Sequence, residues 1–430
     1  MKKTLLSLSA FALLANITFA DDIKDLQELI KELQENQQAL IDETSSIKTG
    51  FDTVDTKYSH NGMGAAASKV YSSKSALSIG GYGDMYVANP DNGDTKADVY
   101  HFVPYIGYKF SDNIILNTEL EFEHGGSNAE AAEAGNADAA EGYAVVEFMY
   151  LDFLISSAFN IQVGKSLVPM GLINLRHEPT LFNSIQKPLT EKYIIPATWA
   201  STGINIYGSF EDIGISYNAG IIQALELNNG ENGTHEQIRE GVASPTGKST
   251  INKLAFVSRL DYTGVNGLLT GASFYYGDST QGSVYGSSTL IYDIHATFET
   301  AGFKVKALYG ATSISNPENI ASNIDNGNTS IKDSSGYYIN LEYDALSTFT
   351  TTQRVPFFVQ YDYINPAATT VDSFSSSAGS NIGETTTTTF GLNYFPHEQV
   401  VLKMDYAMTD IVAAGETDFN VFSVGLGFIF

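Results

Sequence analysis

In 430 residues the chain carries 49 acidic side chains against 23 basic, a net charge of −26 that excludes nucleic acid as a partner. It has no cysteine, so a disulfide framework, an iron–sulfur cluster and a zinc–thiolate site are excluded. Beyond residue 20 no segment has the roughly 18 consecutive apolar residues of a membrane helix, yet 25 Tyr, 25 Phe and 38 Gly with only 17% charged residues is no ordinary soluble composition.

Residues 1–20 read as a secretory signal peptide. Lys2 and Lys3 precede an apolar run from Leu5 to Ala15, and Thr18-Phe19-Ala20 supplies a small-x-Ala cleavage site. Its removal leaves 21 basic against 49 acidic residues, net −28. Residues 21–56 then place Ile23, Leu26, Ile30, Leu33, Gln37, Leu40, Thr44, Ile47, Phe51 and Val54 at alternating spacings of three and four. That is the seam of an α-helical coiled coil, with polar residues filling the other positions. A single amphipathic helix lying on the rest of the protein would show the same stripe. Residues 57–76, rich in Gly, Ala and Ser, read as a linker.

From residue 77 to Phe430 one unit recurs: an alternating strand, a tight turn, another alternating strand, a long polar loop. In the closing segment Phe422, Val424, Leu426, Phe428 and Phe430 share one face and Ser423, Gly425 and Gly427 the other. Sixteen strands are predicted, at 77–88, 98–110, 113–123, 142–156, 159–168, 199–210, 213–226, 251–262, 267–276, 290–299, 302–312, 335–345, 355–363, 385–395, 400–408 and 418–430. The connections alternate short and long, the long ones at 89–97, 124–141, 169–198, 227–250, 277–289, 313–334, 364–384 and 409–417. An even strand count with alternating turns and loops predicts an all-β fold, a 16-stranded antiparallel transmembrane β-barrel. Lipid offers the backbone no hydrogen-bond partner, so the sheet must close on itself. A barrel of this size is too wide for its own side chains to fill.

Splitting the strands by face gives candidate lumen residues. Glu119, Glu121 and Glu123 oppose Ile114, Leu116, Leu120 and Phe122. Lys253, Arg259 and Asp261 oppose Leu254, Phe256, Leu260 and Tyr262, while Lys304 and Lys306 oppose Phe303, Val305 and Tyr309. A basic side chain facing lipid at mid-depth would cost about 2–4 kcal/mol, so these charges are expected inside. They could brace neighbouring strands or, being acidic and basic on strands far apart in sequence, set up a transverse field. The longest connection, 169–198, is too apolar for an exposed loop: Met170, Leu172, Ile173, Leu175, Leu181, Phe182 and Ile185 accompany Arg176, His177, Glu178, Lys187, Glu191 and Lys192. Folded inward, it would pack its apolar residues on the wall and form a constriction with its charges in the passage; the alternative is an external loop or one that meets another subunit of a trimer. Those charges nearly balance, so weak selectivity is expected, leaning cationic at low salt. Loop 124–141 reads as acidic and solvated.

No catalytic constellation stands out. His177-Glu178 and His397-Glu398 begin like a zinc-protease helix, but no second His follows at the required spacing and Pro179 breaks the first. No nucleophile elbow or P-loop occurs. No enzyme activity, metal or cofactor is expected.

The runs Gly164-Lys165-Ser166-Leu167-Val168-Pro169-Met170-Gly171-Leu172-Ile173-Asn174, His177-Glu178-Pro179-Thr180 and Ile194-Ile195-Pro196-Ala197-Thr198-Trp199 resemble those of the 16-stranded porins grouped with phosphate-selective porins. Leu77-Ser78-Ile79-Gly80-Gly81-Tyr82-Gly83 and Ala67-Ser68-Lys69-Val70-Tyr71 are similar to porins of epsilonproteobacterial type, and an N-terminal coiled coil resembles dicarboxylate-type members. The resemblance implies a homotrimer in the bacterial outer membrane, among lipid and lipopolysaccharide, with 169–198 infolded, the coiled coil in the periplasm and Phe430 as a terminal assembly signal. Phosphate-selective members are rich in Arg and Lys within the passage; this chain has few Arg. The expected function is therefore a water-filled channel for passive diffusion of small hydrophilic solutes and ions. The alternatives are a selective channel for phosphate or dicarboxylates and a barrel that chiefly tethers the envelope.

Overall fold

The computed structural model describes residues 29–41, 53–125, 142–227, 237–242, 251–281, 286–321, 330–371, 383–412 and 417–430. The signal peptide, most of the heptad seam and the acidic loop over 126–141 lie outside the described residues. Residues 29–41 form a helix, α1, which belongs to a compact unit of its own ending at Asp52. Its seam residues Ile30, Leu33 and Leu40 are exposed, and Lys31 pairs with Glu35 one turn on at 3.9 Å. Val54, the last position of the predicted seam, is instead 3% exposed within the second unit, Thr53–Phe430.

The second unit is built on sixteen strands. They are β1 Leu77–Pro90, β2 Lys96–Ser111, β3 Ile114–Glu123, β4 Tyr143–Ser156, β5 Phe159–Leu167, β6 Ala200–Phe210, β7 Ile215–Gln223 and β8 Leu254–Tyr262, followed by β9 Leu268–Asp278, β10 Ser288–Thr300, β11 Phe303–Ile314, β12 Ser330–Asp344, β13 Pro356–Val371, β14 Glu384–His397, β15 Val400–Val412 and β16 Phe419–Ile429. Each pairs antiparallel with its neighbours in sequence, and β16 returns to β1 to close the ring. Closure is held by main-chain pairing from Tyr82↔Ile429 to Pro90↔Val421, with Gly81 and Phe430 exchanging N–H···O bonds at 2.9 and 2.8 Å. Leu254, Phe256 and Leu260 on β8 are exposed while Ala255, Val257 and Arg259 are buried, as alternation across a pleated wall requires.

Most strand ends differ from the predicted ones by a few residues, and two of the differences have a clear physical reason. Strand β13 continues past residue 363 to Val371 because its polar end still pairs with Ser330 and Ile331, and an irregularity between Asn365 and Thr369 accommodates Pro366. Strand β7 stops at Gln223, short of 226, because Ala224, Leu225 and Leu227 leave the wall for the buried interior cluster.

The segment 57–76 is more than a linker. Ala65–Ser72 is a helix, α2, with Ala65, Ala66, Ala67, Ser68, Lys69 and Val70 buried. Small side chains read as flexible in isolation, but here they let a helix lie against the wall. Lys69 Nζ donates to Ile79 O at 2.7 Å, Asn117 donates to Ala67 O at 2.9 Å, and Tyr71 donates to Asp152 at 2.8 Å. A Cβ at Gly107 would lie 2.4 Å from the Val70 side chain, so the wall is bare where α2 meets it.

Deleting 21–52 should therefore leave the heat-modifiable migration of the folded barrel in detergent gels unchanged. Extending the deletion to residue 76 removes α2 and should lower the unfolding temperature. Equal unfolding temperatures would show that α2 adds nothing to the barrel.

Candidate functional site

The connection between β5 and β6 folds into the barrel. Val168, Met170, Ile194, Ile195 and Trp199 pack with Ile222, Leu225, Tyr275, Ile291, Leu308 and Tyr338 in one buried cluster. Burying such side chains releases roughly 1.5–3 kcal/mol each relative to exposure. The loop's irregular backbone is then satisfied by the wall, as buried backbone requires. Gly171 N–H donates to Asp293 at 3.1 Å, Ile185 N–H to Asp405 at 2.7 Å and Leu189 N–H to Asp362 at 3.1 Å. Conversely, Lys306 donates to Leu181 O at 2.7 Å, and Lys403 donates to Phe182 O and Ser184 O at 2.9 and 3.1 Å. Asn183 donates to Asn340 and Glu342 at 2.8 and 2.9 Å. Room comes from the small inner face of β16: a Cβ at Gly427 would sit 2.7 Å from Pro179.

Several charges expected in the passage hold the loop instead. Glu178 is 1% exposed and its Oε1 accepts the N–H groups of Ala66 and Ala67 at 2.9 and 3.1 Å, at the start of α2. Glu191 is 1% exposed and accepts from Ile173 N–H and Tyr338 O–H, both at 2.7 Å. Burial pushes its carboxyl up to about 7 despite those two donors, and burial likewise raises Glu178. Arg259 is buried, donating to Asp261 at 2.7 Å, to Gly171 O and to His295 at 3.0 Å. His177 is buried, with Nδ1 on Asn174 O at 2.8 Å and Nε2 on Glu119 at 3.1 Å. Lys253 pairs with Asp278 at 2.9 Å just ahead of β8, and Lys304 pairs with exposed Glu299 at 3.2 Å beside the short β10–β11 turn. Of the loop's own charges, Arg176 is exposed and Lys187 and Lys192 are half-buried; Lys192 lies 5.1 Å from the Tyr193 ring centre.

Glu119 and Glu121 do face inward, with Glu123, on β3. Three further residues in this region escaped the sequence reading. His101 on β2 stands between Asp84 and Glu123. Asp152 on β4 accepts the hydroxyls of Tyr71 and Tyr207 at 2.8 and 2.7 Å. Glu147 enters through a bulge: β3 pairs Glu119↔Phe148 and then Leu120↔Val146, so Glu147 and Phe148 both point inward. Lys403 was legible, because Val401, Lys403 and Asp405 alternate with Leu402, Met404 and Tyr406.

Glu178→Ala should strand two buried N–H donors, at about 1–3 kcal/mol each, lowering the urea midpoint followed by fluorescence of Trp199, the sole tryptophan. Glu191 holds a proton in the folded loop that the unfolded chain releases nearer its ordinary value. Its contribution is complete below the unfolded pKa and is lost as pH rises through about 7. Glu191→Gln should flatten that part of the stability difference between pH 5 and pH 8, read as urea midpoints.

No family model matches the sequence. Among solved structures, an anion-selective porin from Comamonas acidovorans superposes with a TM-score of 0.52 at 12% identity, covering 82% of this chain and 99% of that one. OmpF of Salmonella typhi, in complex with daunomycin, gives 0.52 at 12% identity over 82% and 97%. A loop-deletion form of OmpT, an outer membrane protein of Vibrio cholerae, gives 0.51 at 11% identity over 82% and 99%. At such identities the likeness is one of fold. An uncharacterized protein of Aquifex aeolicus (strain VF5) is 32% identical over 359 residues, 81% of this chain and 79% of its own length. The chain belongs to the family of that Aquifex protein.

Proposed function

We propose that the chain is an outer-membrane porin, a water-filled channel through which small hydrophilic solutes and ions diffuse passively. The observation that carries this reading is the third long loop, drawn inside a closed 16-stranded ring and bonded to β8, β10, β11, β12, β13 and β15. A wall with exposed Leu, Ile and Phe outside and charge inside suits lipid on one side and water on the other. On this reading the infolded loop narrows the passage. The coiled coil expected over 21–56 would lie in the periplasm, and the exposed seam residues of α1 suit self-association; a homotrimer of barrels among lipid and lipopolysaccharide follows from the family resemblance.

The two charged walls lie across the lumen from each other, since β3 and β11 are eight strands apart in a ring of sixteen. Glu119 and Glu121 stand on one and Lys306, bonded to the loop at Leu181 O, on the other, while Lys304 is taken up by Glu299 beside the β10–β11 turn. This arrangement supports a transverse field at the constriction. The loop's own share differs from a balanced set, because Glu178 and Glu191 are withdrawn into hydrogen bonds and leave Arg176 and Lys192, with Lys187 set against the glutamates of β3 and β4. That surplus favours the second reading, a channel selective for anions such as phosphate or dicarboxylates, and weighs against a cationic lean.

Removing residues 172–192 from a folded barrel should raise single-channel conductance in planar bilayers; an unchanged conductance would place the loop outside the passage. Replacing Arg176, Lys187 and Lys192 with Gln should move the reversal potential in a KCl gradient toward cations. For the wild type, an anion preference that persists at high salt, where the Debye length falls to about 3 Å at 1 M, selects the anion channel. A preference that fades selects the general porin. A protein that inserts without conducting would leave only the envelope tether.

A further inference from the structure

Where the third loop meets the inner faces of β2, β3 and β4, a histidine and four glutamates of the strands and a histidine of the loop form adjoining triads. His101, Glu121 and Glu123 make one, and His177, Glu119 and Glu147 the other; in each the ligating atoms lie within 4.8 Å of one another and all three residues are buried. We propose that these triads bind divalent first-row transition-metal ions, one ion to each.

Both imidazoles are already oriented for it. His177 Nδ1 meets the Asn174 carbonyl oxygen at 2.8 Å, and a carbonyl only accepts, so Nδ1 carries the proton. His101 Nδ1 is likewise set on the Asp84 carboxylate at 2.7 Å. In the neutral ring the Nε2 lone pair is then turned toward carboxylate oxygens: 3.1 Å from Glu119 and 3.8 Å from Glu147 in one triad, 3.2 Å from Glu123 and 3.9 Å from Glu121 in the other. Acceptors facing acceptors need a proton or a metal ion between them, and only a metal ion answers the imidazole and both carboxylates at once. A histidine whose far nitrogen donates to a carboxylate or carbonyl is the usual support of a metal-ligating imidazole.

The unpaired atoms point the same way. Among the described residues no N–H or hydroxyl reaches either carboxylate oxygen of Glu147, whose carboxyl faces that of Glu119, although the residue is 4% exposed; Glu121 Oε1 and Glu119 Oε2 are buried and likewise lack such a donor. Unpaired buried carboxylates are costly, and the bulge that brings Glu147 inward adds one more. Lys187 acts electrostatically on Glu121, Glu147 and Glu123, and Lys165 on Glu147, Glu121 and Glu119, but neither reaches the unpartnered buried oxygens with a hydrogen bond. One imidazole with two carboxylates is a borderline donor set that suits Mn²⁺, Fe²⁺, Co²⁺, Ni²⁺ or Zn²⁺ over Mg²⁺. Because His177 belongs to the third loop, its ion would also clamp that loop to the β3–β4 wall.

The test uses the full chain in detergent, stripped with EDTA and titrated with Co²⁺ in excess Mg²⁺, read by calorimetry and by the visible absorption of the bound ion. It needs no conduction, so its result stands apart from the channel reading. Saturable binding is expected, reduced in Glu121→Gln and in Glu147→Gln, with His101→Gln and His177→Gln as second variants should either fail to show the folded gel band. Absence of saturable Co²⁺ binding by the wild type, its abolition by Mg²⁺, or undiminished binding in variants of both triads would overturn the proposal.

Discussion

Every feature of the second unit follows from one constraint: the main-chain hydrogen bonds must close into a ring, β16 onto β1. With sixteen strands, closure leaves an interior that wall side chains cannot span. The inner face is therefore free to carry charge, but charge and irregular backbone inside a low-dielectric wall must be answered by partners. The third loop and α2 supply them. The loop gives its N–H groups to Asp293, Asp405 and Asp362 and its carbonyls to Lys306 and Lys403. Wall and loop thus satisfy each other.

That exchange changes the meaning of the charged residues. Glu178 and Glu191 are fasteners, one tying the loop to α2 and the other to Tyr338. Arg259 sits in a network with Asp261 and His295 that also grips Gly171 O. In the proposed channel, the charges left for a solute are fewer than the loop's composition suggests, and those on the loop itself are basic. On the β3–β4 wall, by contrast, Glu119, Glu121 and Glu147 each keep a buried oxygen that no donor among the described residues reaches, and the proposed ion would answer these.

The barrel was legible in the sequence because its signal is local. Period-2 alternation needs no knowledge of distant residues, and all sixteen strands are present, with ends shifted by a few residues. The infolding of 169–198 was legible for a related reason, since an exposed loop has no use for Met170, Leu172 and Ile185. What was not legible depends on long-range partners. Ala65–Ser72 reads as linker until Gly107 and Glu178 make room and supply acceptors for it. Glu147 escapes a strict alternation because the bulge breaks the count. The two triads draw on β2, β3, β4 and the loop, so no spacing motif announces them.

The infolded loop is the claim on which the site, the proposed passage and the proposed metal clamp all converge, and the absence of native cysteine allows a direct measurement. Asn183 and Asn340 meet at 2.8 Å across the lumen although 157 residues separate them in sequence. In intact outer membranes, an Asn183→Cys, Asn340→Cys double variant should be cross-linked within the chain by a short bis-methanethiosulfonate, as a shifted band in denaturing gels that neither single variant gives. A folded double variant whose two thiols react with a monofunctional reagent but never with each other would contradict the infolded loop.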